Sequence, residues 1–442
     1  NNMNALSIIG LILAVIVLGV TAYRGFGALT ATLMASLVVI LTNGMGIWQG
    51  LSEFYMNGYI GAYSSFFLMF CCSSLYAGFM NESGSAASIG YQLIDWFGKK
   101  NVLLVCFVLT ALLTYGGVSL FVVIYATAPI MFLLFKEADL PRHLTVAIVA
   151  AGSASFTMTA LPGTPSLTNV IPTQFLGTTL TAAPVFGILA TIAMFVMSML
   201  YMNRCEKKAR ENGEHWESPE GMDPALLEIK DRSTLPSSAK AFAPMVVLMV
   251  IILIGSRFGI NSTMLATGAM LAGTIVTFIL NFDKFKGKSL KKLISSGLEG
   301  GIDSIGGYAG VVAFGAVVTN SAAFSMIVEW VSSLHMNPYV QGVVSTMAIS
   351  AITGSSSGGL KIMLSAFADE FIASGVNLQL LHRLICISAD ALDTLPHSPG
   401  MFLMFAVLGL THKQAYKHVF WTSTVIPLIV TFVSLVILVI FF

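Results

Sequence analysis

The sequence has 442 residues, of which 56% are hydrophobic and only 10% charged, and its formal net charge is +1. A soluble protein of this length needs far more charge to cover its surface, and a nearly neutral chain gives no electrostatic basis for binding nucleic acid. Apolar stretches close to the ~20 residues that cross a bilayer recur along the whole chain. We therefore predict an all-α polytopic membrane protein.

The first half, residues 1–202, begins with an apolar stretch that has no basic leader and no small-residue cleavage site. We expect it to be a retained helix rather than a signal peptide. A mixed segment with one tryptophan, 83–98, is predicted to lie at the membrane interface. Two apolar segments are interrupted midway and predict a re-entrant hairpin at 101–136 and a broken helix at 142–176. Uninterrupted spans are predicted at 5–23, 27–42, 58–80 and 183–202.

Residues 203–239 mix many charges with proline, a composition typical of a partly ordered linker, and we expect no site there. The second half, residues 240–442, repeats the plan of the first, with an interfacial segment at 321–336. A hairpin is predicted at 338–373 and a broken helix at 380–408. Uninterrupted spans are predicted at 242–256, 262–280, 300–319 and 420–441.

The two halves also match in local sequence, which indicates an internal duplication. Placing the linker in the cytoplasm puts most lysines and arginines on that side and both termini outside. The two repeats are then inverted relative to each other, provided that both hairpins are re-entrant. The alternative is that each hairpin is a pair of short full spans. Three pairs of segments match in order: 95–96 with 329–330, 114–117 with 353–356, and 159–165 with 393–399.

Four breaks interrupt the apolar segments, at the hairpin tips 114–119 and 353–359 and at the turns 159–165 and 393–399. Unpaired backbone groups within a bilayer cost several kcal/mol each, so breaks are tolerated only where they are buried in protein or face water or ligand. Half-helix N-termini carry partial positive charge, which suits a carboxylate. Symmetric breaks indicate a transport site, although a single break can also be a packing kink. The predicted substrate-binding residues are Thr114, Gly116, Gly117, Ser119, Thr159, Gly163, Thr164, Ser355, Ser356, Ser357, Gly358, Gly359, Lys361, Thr394, His397 and Ser398.

Lys361 follows the glycine- and serine-rich second tip and precedes an apolar run. A lysine at that depth is unfavourable unless it is paired or contacts an anion. Three interpretations remain open: it binds the substrate carboxylate, it forms a salt bridge that changes during transport, or it snorkels to the interface. His382 and Arg383 are predicted near the outer end of their helix, and for Arg383 a surface role is favoured over steering an anion.

Asp390, Asp393 and His397 lie within one short stretch at the second unwound turn, and we predict that they carry a coupled proton. Histidine titrates near neutral pH, and burial in apolar surroundings disfavours a charged carboxylate. Alternatively, Asp393 caps the following half-helix and His397 bonds the backbone. Asp303 is a weaker candidate.

The stretch 354–359 followed by 393–398 resembles the gluconate:proton symporter (GntP) family of the ion transporter superfamily. The resemblance extends over the whole chain in length, span order and breaks. It implies proton-coupled import of a small organic anion across the bacterial inner membrane, either a gluconate-like sugar acid or a short hydroxy-carboxylate such as 3-hydroxybutyrate. It also implies elevator-type movement and a homodimer formed through a scaffold region. Neither tip carries the Ser-Asn-Thr motif of sodium-coupled relatives, and sodium coupling remains the alternative.

Other functional classes lack their sequence patterns here. A channel favours rings of like charge, ATP-driven transport requires a Walker motif, and an intramembrane enzyme requires a metal or a nucleophile with its base. The sequence predicts no cofactor and no metal site. Five cysteines without metal-ligand spacing are interpreted as packing residues: Cys71, Cys72, Cys106, Cys205 and Cys386.

Overall fold

The computed structural model describes residues 2–24, 26–116, 120–219, 231–255, 258, 260–333, 336–396 and 398–442. All regular secondary structure among these residues is helical. Large apolar side chains such as Ile16, Leu189 and Ile279 stay exposed on the outer helix faces, as expected where lipid replaces water. The predicted all-α membrane fold is confirmed. Among the described residues, five helices are long and apolar enough to cross a membrane: Ile47–Glu82, Pro184–Glu211, Thr263–Leu280, Leu290–Thr319 and Lys413–Phe441.

The first half of the chain is a succession of helices. Its helices are α1 (Asn2–Tyr23), α2 (Ala28–Thr42), α3 (Ile47–Gln49), α4 (Met56–Glu82), α5 (Ser85–Phe97), α6 (Val102–Tyr115), α7 (Leu120–Ala138), α8 (Leu144–Ser153), α9 (Phe156–Thr159), α10 (Leu167–Leu176) and α11 (Pro184–Glu211). A π-helical turn, Gly50–Tyr55, joins α3 to α4. Helices α6 and α7 lie in the segment predicted as the first hairpin, and α8 to α10 lie in the segment predicted as the first broken helix.

The second half is likewise a succession of helices. Its helices are α12 (Ser238–Gly255), α13 (Ser262–Leu280), α14 (Phe282–Phe285), α15 (Leu290–Thr319), α16 (Ala322–Ser333), α17 (Pro338–Thr353), α18 (Ser356–Ala373), α19 (Leu378–Ala391), α20 (Pro399–Leu408), α21 (His412–Val419) and α22 (Ile426–Phe441). A second π-helical turn, Phe420–Val425, joins α21 to α22. The inverted relation of the two halves stays a prediction.

Two helices, α11 and α15, extend well beyond the apolar spans predicted for them. Helix α11 runs on to Glu211, nine residues past the predicted span end at 202, because charge pairs one turn apart support it beyond the apolar part. Glu206 pairs with Arg210 at 2.9 Å, and Lys207 lies 4.0 Å from Glu211. Helix α15 begins at Leu290 rather than near residue 300. Its start is capped by Ser289, whose hydroxyl accepts the backbone N–H of Lys292 at 3.2 Å.

Helices α4 and α15 pack along each other and form the centre of one group of helices, with α2 and α13 against them. Glycine makes this approach possible, since a Cβ on Gly301 would lie 2.7 Å from the Cα of Cys71. The second hairpin, α17 and α18, packs instead against α10 and α19 and borders α15. The broken helices and the second hairpin thus meet on one side of the α4–α15 pair.

Local sequence explains the shape of the second hairpin. Asn337 caps α17 by accepting the backbone N–H of Tyr339 at 2.9 Å. The helix ends at Gly354, whose φ of 62° is a left-handed conformation that glycine adopts without strain. Ser355 then caps α18 by accepting the N–H of Gly358 at 3.1 Å. A two-residue turn therefore reverses the chain.

Candidate transport site

The second hairpin tip and the second unwound turn are bonded together. The Ser398 hydroxyl donates to the carbonyl oxygen of Gly354 at 2.8 Å. The Asp393 carboxyl faces both the hydroxyl and the backbone N–H of Ser356, in the first turn of α18. A carboxylate suits that position because the first N–H groups of a helix have no intrahelical partner. The two breaks predicted in the second half therefore form one polar cluster.

Two carboxyl groups lie in this cluster without a cation bonded to them among the described residues. Asp390, in the last turn of α19, is 1% exposed and faces the Ser155 hydroxyl and the Asp393 carboxyl. Within the same described part of the chain, Oδ2 of Asp390 and Oδ1 of Asp393 are buried and have no hydrogen-bond partner. An unpaired buried charge costs several kcal/mol. This pair is therefore a place where a proton or a cation would stabilise the protein.

The first repeat reaches the same cluster through its half-helix α10. The hydroxyls of Thr168 and Ser356 lie 3.3 Å apart, and both residues are buried. The Cys386 thiol of α19 donates to the carbonyl of Thr168 at 3.3 Å. Polar groups of both halves thus meet at the start of α18.

Arg383 is completely buried, so the surface role predicted for it is wrong. Its guanidinium donates to the carbonyls of Ala182 at 3.0 and 3.2 Å, Thr159 at 2.7 Å and Leu180 at 3.3 Å, and to Oδ1 of Asn169 at 3.0 Å. A guanidinium has five N–H donors, and all five are used. In this conformation Arg383 has no donor left for a substrate, and it fixes the first unwound turn to α19 instead.

The neighbouring His382 belongs to the same buried network. Oδ1 of Asn169 accepts from Nε2 of His382 at 3.0 Å, while Nδ2 of Asn169 donates to the carbonyls of Thr164 and Leu180, each at 2.8 Å. Nδ1 of His382 then accepts from the Thr178 hydroxyl at 2.6 Å. A neutral imidazole with its proton on Nε2 satisfies both contacts.

The first hairpin tip bonds to the first unwound turn. The Tyr115 hydroxyl donates to the carbonyl of Pro162 at 2.9 Å, and the hydroxyls of Thr114 and Ser153 lie 2.5 Å apart. Gly163, with a φ of 84°, donates its N–H to the carbonyl of Leu180 at 2.9 Å. Three further predicted site residues, Gly117, Ser119 and His397, lie outside the described residues.

Lys361 lies between two aromatic rings rather than in an ion pair. Its Nζ is 5.4 Å from the ring centre of Phe66 in α4 and 5.6 Å from that of Phe175 in α10. Within the described part of the chain no carboxylate forms a salt bridge with it. Aromatic faces attract a cation by about 0.5–2 kcal/mol. The two aromatic rings therefore stabilise the Lys361 ammonium, and its N–H donors form no salt bridge with an anion among the described residues.

The other predicted residues have packing or hydrogen-bonding roles. The Thr394 hydroxyl lies 3.4 Å from that of Thr424. A Cβ on Gly359 would lie 2.7 Å from the Cα of Ser350, and one on Gly358 would lie 2.8 Å from Val311. The glycines therefore permit close packing of α18 rather than a ligand contact in this conformation.

The predictions missed four residues of this region: Ser155, Thr168, Asn169 and Arg383. Each is a buried polar side chain close to a break. Asn169 was recognisable as an amide within an apolar half-helix, where a polar side chain needs partners. Arg383 was recognisable as a cation in an apolar segment, but its depth depends on how α19 packs.

Comparisons with known proteins identify the family of the chain. The family model described as "GntP family permease" matches residues 4–442. The chain is 30% identical to the uncharacterized transporter YxjC of Bacillus subtilis over 94% of this chain and 95% of that one. It is 21% identical to an uncharacterized transporter of Haemophilus influenzae over 81% of each chain.

Two solved structures share the fold. The Alcanivorax borkumensis YdaH transporter, described as having an unusual topology, aligns with a TM-score of 0.51 at 16% identity, covering 89% of this chain and 88% of its own. Neisseria gonorrhoeae MtrF, described within a class of antimetabolite efflux pumps, aligns with a TM-score of 0.51 at 13% identity, covering 99% and 94%. At these identities the likeness concerns the fold alone.

Proposed function

Since the chain belongs to the GntP family of permeases and is a multi-pass membrane transporter, not an enzyme, we propose that it imports a small organic anion together with protons. The proposed substrates are gluconate-like sugar acids and short hydroxy-carboxylates such as 3-hydroxybutyrate. The observation that carries the proposal is the pair Asp390 and Asp393, buried at the junction of both repeats without a bonded cation among the described residues.

The substrate site is proposed at the tip of the second hairpin. Ser355, Ser356 and Ser357 supply hydroxyls at the start of α18, where helix N–H groups favour a carboxylate. Hydroxyls can both donate to and accept from a polyol. Lys361, one turn further along, is the cation that would turn from the rings of Phe66 and Phe175 toward the bound anion.

Proton coupling is proposed to act through the two carboxyls. When both are charged, they repel each other and lie close to the position of an anionic substrate. Protonation removes that repulsion, so binding of the proton and binding of the anion favour each other. Sodium coupling is the second candidate, because the same carboxylate and hydroxyl oxygens are ligands of the kind that hard cations prefer.

Elevator-type movement is proposed because the site is closed in this conformation. Thr168, Ser356 and Ser398 are all buried, so a substrate reaches them only if helices move. The α4–α15 pair is the proposed scaffold and homodimer region, and the second hairpin with the broken helices is the proposed moving part. In this movement α18 would slide along α15, at the contact between the two parts.

The test is uptake by purified protein in proteoliposomes with imposed proton or sodium gradients, against a panel of short hydroxy acids. We expect a pH gradient, acidic on the side from which the substrate enters, to drive accumulation of one class of hydroxy acid. Ser356→Ala should weaken uptake while the protein still folds, since Ser356 contacts both Asp393 and Thr168. Accumulation driven by sodium and unaffected by pH gradient and membrane potential would refute proton coupling.

A further inference from the structure

Four titratable groups outside the proposed transport site form a continuous hydrogen-bonded chain, near the point where the linker leaves α11. Oε2 of Glu214 lies 2.6 Å from Nε2 of His143, and Nδ1 of His143 lies 2.8 Å from Nε2 of His418. Nδ1 of His418 lies 2.9 Å from the Tyr201 hydroxyl. The chain connects the linker, the start of α8, the end of α21 and α11.

We propose that Glu214, His143, His418 and Tyr201 form a second proton-binding site, a relay that holds one exchangeable proton and joins the linker to the last transmembrane helix. The proposal goes beyond the proposed function and does not depend on transport being coupled to protons. It rests on the order of donors and acceptors that the three contacts require.

With both rings neutral and Glu214 charged, only one arrangement of protons satisfies every contact. A carboxylate only accepts, so Nε2 of His143 carries a proton and its Nδ1 accepts. Nε2 of His418 must then donate to His143, and Nδ1 of His418 accepts from the Tyr201 hydroxyl. Every hydrogen bond therefore points from Tyr201 toward Glu214.

One added proton reverses two of these bonds without breaking the chain. Tyr201 passes its hydroxyl proton to Nδ1 of His418 and regains one from the medium. His418 passes its Nε2 proton to Nδ1 of His143. His143 then carries the positive charge beside the Glu214 carboxylate, where the charge is best stabilised.

A second added proton cannot be accommodated in the same way. Both rings would then be cations, and each would present an N–H to the other across 2.8 Å. The two rings, which are nearly parallel with centres 4.9 Å apart, would repel each other, and α8 would lose its bond to α21. The relay therefore accepts one proton and resists the next.

The surroundings add few other charges. Besides the members of the relay, Lys417 is the charged neighbour acting on His418, and Cys205 is the titratable group at Tyr201.

The linker makes a second contact nearby. His215 and the backbone N–H of Trp216 bond the Asp139 carboxylate at 2.7 and 3.0 Å. His215 is exposed and lies outside the relay, so its NMR signals serve as an internal reference.

The test is solid-state NMR of the full chain with ¹⁵N-labelled histidines in lipid bilayers. At alkaline pH we expect both His143 and His418 to carry their proton on Nε2, with a ¹⁵N–¹⁵N coupling across their hydrogen bond. On acidification the two rings should take up one proton together. Glu214→Gln keeps an acceptor but removes the charge, so this step should move to lower pH while that of His215 stays in place.

Asp139→Asn is the matched control, since it should affect His215 and leave the relay unchanged. Independent titration of His143 and His418, or an unmoved step in Glu214→Gln, would overturn the proposal. All of these signals come from the resting protein, so a failure of the relay is distinguishable from a failure of the proposed transport.

Discussion

Replacing Arg383 by lysine tests whether a buried cation holds the two repeats together. Lysine keeps the positive charge but has three donors instead of five, so at least two hydrogen bonds of the guanidinium are lost. Leu180 also accepts from Gly163 and Asn169, so its carbonyl remains satisfied. The carbonyls of Thr159 and Ala182 depend on the arginine.

The expected loss follows from these two bonds. Hydrogen bonds between membrane helices are worth up to ~1.7 kcal/mol each, and those from charged donors in proteins begin at about 1.5 kcal/mol. Arg383→Lys should therefore destabilise the protein by about 3 kcal/mol. For a chain of this size, that lowers the apparent melting temperature by roughly 3 °C.

The assay is thermal unfolding of the purified protein in detergent, followed by intrinsic fluorescence, with uptake measured in parallel. Arg204→Lys on the exposed face of α11 is the matched control and should leave the melting temperature unchanged. Wild-type stability in Arg383→Lys would refute the structural role. Wild-type stability with lost uptake would instead place Arg383 in contact with the substrate.

Three further predictions concern the second repeat and the linker. Ser398→Ala should reduce uptake several-fold with little effect on folding, because the tip loses its bond to the unwound turn; unchanged transport would exclude this bond from the moving part. Lys361→Ala and His397→Ala should each lose uptake while still folding, as checked by size-exclusion chromatography, and normal uptake in both would move the site away from the second repeat. The hydrogen bond from His143 lowers the pKa of Glu214 in the folded protein. The Glu214–His143 contact therefore contributes fully to linker docking above the usual glutamate pKa of ~4.3, and this contribution is lost as the pH falls through the lower pKa of the folded state. Protease cleavage of the linker should accelerate only in that acidic range, and an increase that starts at neutral pH would contradict this assignment.

Much of the fold follows from hydropathy and from helix-breaking residues. Apolar length predicts the spanning helices, and glycine and proline predict where they are interrupted, as at Gly354 and Pro162. Helix ends beyond the apolar part were not predicted, because α11 is extended by charge pairs that carry no hydropathy signal. The pattern of residues within one segment predicts the helices of that segment, but not which other segments they pack against.

The site was harder to predict because it depends on which segments touch. Ser356 and Asp393 belong to breaks that the sequence identifies, but the contact of Ser356 with Thr168 joins residues from opposite halves of the chain. Arg383 was assigned to the surface since polarity along a sequence does not report depth in a fold. Its carbonyl acceptors are backbone groups, and every residue type has a backbone carbonyl, so the sequence does not identify them.

The central claim is that the carboxyl pair at the junction of the repeats couples transport to protons, and Asp393→Asn tests it most directly. The measurement is substrate accumulation in proteoliposomes under a pH gradient, compared with exchange of labelled for unlabelled substrate without a gradient. We predict that Asp393→Asn retains exchange but no longer accumulates substrate, while Asp369→Asn, at an exposed position on α18, behaves as wild type. Accumulation by Asp393→Asn at the wild-type level under the same pH gradient would contradict the account.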